Sequence, residues 1–197
     1  MKKLLGLAVF LVFFSLPTFA QYNESKVEVG GGYTFRSFQP SPVGDSLPNP
    51  RHSSNGWNAT VAYNVNDWFT IATDVDGTRD DEGANGLVKF YTVLVGPRVY
   101  PFGHHKLAPF AHVMFGLAHF NSTLPNSSND CAPFCTLTDG SFAVEAGGGV
   151  DLNLTKHFAV RLGEFDYERT SFLSLSNPPL SATNNNYKYR AAILFRF

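Results

Sequence analysis

Residues 187–197 read Tyr187-Lys188-Tyr189-Arg190-Ala191-Ala192-Ile193-Leu194-Phe195-Arg196-Phe197. With a period of two, Tyr187, Tyr189, Ala191, Ile193, Phe195 and Phe197 share one face, and Lys188, Arg190, Ala192, Leu194 and Arg196 share the other. One face is apolar and aromatic; the other is largely cationic. Such a strand either buries its greasy face in a soluble core or turns it to lipid as the closing strand of a membrane barrel. The rest of the chain decides between the two.

Working back from that stretch, the same alternation recurs. Val27, Val29, Tyr33 and Phe35 oppose Glu28, Thr34 and Arg36, and Trp57, Ala59, Val61 and Tyr63 oppose Asn58, Thr60 and Ala62. Phe69, Ile71, Thr73 and Val75 oppose Thr70, Ala72, Asp74 and Asp76. Strands follow at about residues 87–100, with Arg98 on the polar side, at 111–118, with His112 and Met114 on it, and at 141–154, with Glu145 and Asp151 on it. In the last of these, Gly147-Gly148-Gly149 suits close packing in a narrow barrel. The stretch 158–167 starts with Phe158, Val160 and Leu162 outward and Arg161 inward, then breaks parity. A bulge near Gly163 returns Glu164 and Asp166 to the polar side and puts Phe165 and Tyr167 outside.

No segment after residue 20 sustains helical periodicity, so the mature chain is expected to be all-β with eight strands. The connections alternate in length. Long ones cover 37–55, 78–86, 121–140 and 170–186; short ones cover 64–67, 101–106 and 153–156. An up-and-down barrel with short periplasmic turns and long outer loops has this asymmetry, whereas a sandwich gives no reason for it. Aromatics also gather near strand ends, with Phe35, Trp57, Tyr91 and Tyr189 on the loop side. On the turn side are Tyr63, Trp68, Phe69, Tyr100, Phe102, Phe158 and Phe197, as expected of interfacial girdles.

Residues 1–20 have the build of a cleaved secretory signal: Lys2 and Lys3, an apolar run over 4–14, and Thr18-Phe19-Ala20 before Gln21. The barrel domain is then 21–197. Removing Lys2 and Lys3 lowers the basic count from 15 to 13 against 16 acidic groups, a formal balance of −3 that argues against a nucleic-acid partner. Cys131 and Cys135, the two cysteines of the chain, lie close together in an Asn- and Ser-rich stretch. In an exported protein they read as a disulfide pinning a loop.

The closing residues 190–197, with Phe195 and Phe197 at the hydrophobic positions and Ala192 where glycine is usual, resemble the C-terminal signal read by the barrel assembly machinery. Together with the N-terminal signal, the strand count and the loop asymmetry, they make the chain similar to the small OmpA-like and OmpX-like outer-membrane barrels, and Val95-Gly96-Pro97-Arg98, Pro109-Phe110-Ala111-His112-Val113 and Gly147-Gly148-Gly149-Val150-Asp151 are similar to the generic outer-membrane β-barrel domain family. That resemblance implies an eight-stranded antiparallel transmembrane β-barrel, monomeric, set among outer-membrane lipids and lipopolysaccharide, with both termini periplasmic. It also implies a structural or surface-interaction role, with loops 37–55, 121–140 and 170–186 as the contact surface for an extracellular ligand. No cofactor and no metal site is expected.

An eight-stranded barrel has an interior filled by its own side chains. The inward set Glu28, Arg36, Asp74, Asp76, Arg98, Glu145, Asp151, Arg161, Lys188 and Arg190 carries both signs and is expected to form a lumenal ion-pair network. A narrow ion path is the alternative, and the small bore favours a plug. Arg51-His52-Ser53-Ser54-Asn55 is similar to the His-x-Ser-Asn motif of outer-membrane lipid A deacylases, with His52 as base and Ser54 as nucleophile. In that family the motif lies far later in the chain, and no acidic partner for His52 is identifiable here. Asp74-Val75-Asp76-Gly77 with Asp80, Asp81 and Glu82 offers clustered oxygens to calcium but lacks EF-hand ligand order.

Overall fold

The computed structural model describes residues 25–39, 52–81, 87–125, 134–173 and 181–197. Eight strands follow in chain order: β1 (Val27–Gln39), β2 (His52–Asn64), β3 (Phe69–Asp81), β4 (Leu87–Val99), β5 (Leu107–Pro125), β6 (Phe134–Asn153), β7 (Phe158–Leu173) and β8 (Ser181–Arg196). Each pairs antiparallel with the next, and β8 returns to β1, so the sheet closes into a barrel. Closure removes both sheet edges and pairs the backbone groups along each strand, the condition for crossing a bilayer with strands.

Alternation sorts the side chains. Val29, Tyr33, Trp57, Val61, Ile71, Val93, Phe115, Phe165, Ile193 and Phe195 are exposed on the outside. Their neighbours of opposite parity, from Glu28 to Arg196, are buried inside. The polarity of a soluble protein is thus inverted, with apolar side chains meeting the surroundings and charged ones filling the middle. Between β7 and β8, Phe158 pairs with Phe195, their ring centroids 5.5 Å apart.

The short turns are tightly held. Asn66 accepts from the backbone amides of Trp68 and Phe69 at 3.0 and 2.8 Å. The Val65 and Leu154 amides donate to the Phe69 and Phe158 carbonyls at 3.0 and 3.1 Å. Gly103, at φ 70°, turns the chain between β4 and β5 in a conformation that favours glycine.

The expected break in β7 is a bulge. Arg161 pairs with Ala192 and Glu164 with Arg190, so Leu162 and Gly163 together oppose the single residue Ala191. The same irregularity sets Val150 against Gly163 and Asp151 against Arg161. Glu164 and Asp166 are consequently buried and Phe165 exposed.

Two expectations are corrected. The strands run well into the stretches read as loops, with β5 continuing to Pro125, β6 starting at Phe134 and β8 starting at Ser181. The backbone ladder needs no apolar side chain and continues through Ser-, Thr- and Asn-rich sequence. Tyr100, placed in the turn-side girdle, is instead inside and fully buried. β4 ends at Val99, and the chain folds inward so that the Tyr100 hydroxyl donates to Asp151 Oδ2 at 3.0 Å. The Cys131–Cys135 disulfide lies outside the described residues.

Candidate functional site

The lumen carries the chemistry, in three tiers. Towards the loop end, Arg36 from β1 donates to Asp76 Oδ1 at 2.5 Å and to Glu168 Oε1 at 3.1 Å. Lys188 from β8 reaches Asp76 Oδ2 and Glu168 Oε2, both at 3.0 Å, and lies against Glu145 as well. The Arg36 guanidinium also stacks 3.9 Å from the Phe90 ring centroid. A cation held between carboxylates and an aromatic face is compensated on all sides, which makes its burial tolerable.

The middle tier is organised by Arg190. Its Nη2 donates to Glu145 Oε1 at 2.6 Å, its Nε to Asp166 Oδ2 at 2.9 Å and its Nη1 to Asp74 Oδ2 at 3.2 Å. Glu164 Oε1 lies 3.3 Å from Nη2. One planar fork thus links β3, β6, β7 and β8. Arg98 shares Asp74 at 3.3 Å.

Towards the turn end, Arg161 grips Asp151 through Nε at 2.8 Å and Nη2 at 3.2 Å, and Glu164 Oε2 through Nη1 at 3.2 Å. Arg196 donates to Glu28 Oε2 at 2.7 Å and to Asn153 Oδ1 at 2.5 Å. Phe110 lies beneath Arg161 and Arg98, 4.4 and 5.0 Å from its centroid. Below Tyr100, whose ring lies 4.2 Å from that of His104, the His104 Nδ1 faces the Asp67 carbonyl at 3.0 Å. Burial in the turn pushes the His104 pKa below the ordinary histidine value, and the charge of Arg196 acts in the same direction.

The structure therefore places Glu28, Arg36, Asp74, Asp76, Arg98, Glu145, Asp151, Arg161, Lys188 and Arg190 in one lumen and joins them through ion pairs. Glu168, Arg196, Asn153 and Tyr100 belong to the same network without having been singled out as members. Parity carried past the bulge, from Glu164 through Asp166, marks Glu168; Tyr100 follows a strand end and has no parity to read.

Ser54 faces the lumen at 4 % exposure, and its Oγ makes no hydrogen bond among the described residues. A nucleophile for membrane lipid would have to face outward, so this orientation gives the deacylase motif no access to its substrate. The His52 side chain is outside the described residues. Asp74 and Asp76 are strand residues held by Arg190, Arg98, Arg36 and Lys188 rather than members of a cation-binding loop.

A closed antiparallel cylinder with an apolar exterior and a charged, filled interior defines an integral barrel of the outer-membrane type. The chain belongs to the outer membrane protein beta-barrel domain family, whose model matches residues 6–194. No curated protein matches it in sequence. Among solved structures it is similar to Ail, the attachment invasion locus protein of Yersinia pestis, at TM-score 0.60 and 17 % identity over 88 % of this chain and 99 % of that one. It is also similar to Neisserial surface protein A, at TM-score 0.62 and 12 % identity over 87 % and 97 %. Ail in complex with the heparin analogue sucrose octasulfate matches at TM-score 0.58 and 18 % identity over 88 % and 99 %. At such identities the likeness is one of fold.

Proposed function

We propose that this protein is a non-enzymatic, monomeric outer-membrane barrel that acts through its extracellular rim, in adhesion-like contact with a surface or polymer, while its lumen stays shut. The observation that carries this reading is the filled lumen. Paired charges occupy it from Arg36 at the loop end to Arg196 at the turn end, which leaves the rim as the working surface. Extension of β5 and β6 to 19 and 20 residues, against 13 in β1 to β4, supports it further, because the longer strands carry the rim beyond the lipid. The binding of a heparin analogue by Ail makes sulfated polysaccharide the first ligand to try.

On this reading the chain is exported by a signal cut after Ala20, and Phe195 and Phe197 engage the assembly machinery. A Cys131–Cys135 disulfide pins one rim loop. The decisive experiment replaces residues 40–51, 126–133 and 174–180 by short Gly/Ser turns and measures cell adherence to heparin-coated surfaces. Adherence should fall to that of cells lacking the barrel while heat-modifiable gel migration persists. Unchanged adherence, or a steady large single-channel conductance from the purified wild-type barrel, would overturn the proposal.

A further inference from the structure

We propose that the lumen holds one divalent transition-metal ion, zinc or a first-row relative, ligated by His112 Nε2, Glu145 Oε1 and Asp166 Oδ1. These three residues come from β5, β6 and β7, and their donor atoms all lie within 4.8 Å of one another, buried. His112 Nε2 is 3.4 Å from Glu145 Oε1 and 3.3 Å from Asp166 Oδ1. Four ligands at the usual zinc bond lengths stand about 3.3–3.4 Å apart at the edges of a tetrahedron. The three donors therefore already span two edges of the right length.

The surroundings are those of a held ligand set. His112 is 4 % exposed, and neither of its ring nitrogens makes a hydrogen bond of good geometry; Asp166 Oδ1 makes none either. Asp166 gives its other oxygen, Oδ2, to Arg190, which leaves Oδ1 directed at the imidazole. Glu145 Oε1 accepts from Arg190 on one side and keeps a second lone pair for the metal. On the far side of the ring, Glu164 Oε1 faces Nδ1 at 3.2 Å, where a second carboxylate fixes the tautomer that turns the Nε2 lone pair towards the ion.

The backbone makes room for the convergence. His112, Gly147 and Asp166 stand side by side on three adjacent strands. A Cβ at Gly147 would collide with Asp166 Oδ1 and with the Phe165 carbonyl. Only a residue without a side chain lets groups from β5 and β7 meet over β6.

Charge balance points the same way. Among the described residues the lumen buries eight carboxylates, Glu28, Asp74, Asp76, Glu145, Asp151, Glu164, Asp166 and Glu168, against six Lys and Arg side chains. With His112 neutral, the excess of two negative charges equals the charge of one divalent ion. One imidazole with carboxylates suits zinc, manganese, iron or cobalt better than calcium or magnesium, which take oxygen alone.

Because the site is enclosed, the ion must enter while the barrel folds. The full chain, purified from outer membranes, is unfolded with a chelator and refolded in detergent with or without zinc. It is then passed over a gel-filtration column containing chelator, and its metal is counted by mass spectrometry. Wild type should retain about one zinc per barrel, and refolding with cobalt should give the visible bands of a nitrogen- and oxygen-ligated tetrahedral ion. His112→Gln and Asp166→Asn should retain none, with folding of each checked by heat-modifiable migration. Wild type that emerges without metal would overturn the proposal whether or not the variants fold, and would leave His112 as an imidazolium among its carboxylates. Equal retention by a folded His112→Gln or Asp166→Asn barrel would overturn it too, by placing the metal elsewhere.

Discussion

The two sides of the lumen wall are built differently. β7 and β8 contribute Arg161, Glu164, Asp166, Glu168, Lys188, Arg190 and Arg196, whereas the opposite wall presents Ala62, Ala72, Phe90, Leu94, Met114, Ala118 and Ala143 as one apolar cluster. The difference teaches how so narrow a bore accepts so much charge. Long cations rooted on β8 cross the lumen to Asp74 and Asp76 on β3 and Glu145 on β6, and the small side chains facing them leave the necessary volume. Ala72 and Ala143 are fully buried two positions from Asp74 and Glu145 on the same strands. The division is one of emphasis, since the apolar wall also carries Asp74, Asp76, Arg98 and Glu145, and β7 and β8 also bury Ala159, Ala192 and Leu194; long charged and short apolar side chains fill one bore together.

The most drastic way to break that contrast is to delete Leu162 and Gly163 together. Glu164 then follows Arg161 directly, so the parity of β7 beyond Arg161 reverses: Glu164, Asp166 and Glu168 face lipid while Phe165 and Tyr167 crowd the lumen. The double-deletion variant should fail to give the heat-modifiable folded band in outer-membrane fractions. Deleting Gly163 alone, which leaves Leu162 opposite Ala191 and every parity intact, should still give it. A folded double-deletion variant would show that the inward placement of those carboxylates is dispensable.

The next largest effect contrasts the two walls directly. Arg190→Met removes the fork shared by Asp74, Glu145, Glu164 and Asp166 and leaves buried carboxylates uncompensated, so unfolding free energy in detergent should fall by about 3–5 kcal/mol. Met114→Leu, on the apolar wall, conserves volume and should cost less than about 1.5 kcal/mol. Urea titrations followed by gel mobility would measure both. Comparable losses would mean that the charged wall is no stricter than the apolar one.

Much of this arrangement is legible in the sequence because it depends on parity. Alternation assigns Glu28, Arg36, Asp74, Arg98, Glu145, Asp151, Arg161 and Arg190 to the inside, and the failure of alternation after Leu162 locates the bulge. Partnership is not legible. Arg36 and Glu28 share a face of β1 but lie towards opposite ends of it, and Arg36 meets Asp76 and Glu168 while Glu28 meets Arg196. Which charge meets which is set by strand register and by the reach of side chains across the bore, and neither is local. For the same reason His112, Glu145 and Asp166 give no metal-binding spacing along the chain; they are neighbours only because three strands lie side by side with a glycine in the middle row. Strand ends escape parity in another way. At the loop end, polar sequence continues as strand; at the turn end, Tyr100 leaves the ladder and turns inward.

The smallest effect concerns the floor of the lumen, at the turn between β4 and β5. His104 is buried there, its Nδ1 against the Asp67 carbonyl and its Nε2 without a hydrogen bond among the described residues. Burial holds its pKa below the ordinary value in the folded barrel, with Arg196 adding to the depression, while the unfolded chain titrates near the reference of about 6.5. Below that reference the unfolded state binds more protons than the folded one, so stability is fully present above it and declines as pH falls towards the folded pKa. His104→Gln keeps a polar side chain but removes the titration. The wild-type minus His104→Gln difference in unfolding free energy should therefore be flat above neutrality and become less favourable to wild type on acidification below about pH 6.5. A difference that ran the other way would mean that the folded state favours the imidazolium. The His104 site would then share the cation-accepting character of the lumen above it, rather than marking the neutral floor on which the charged network rests.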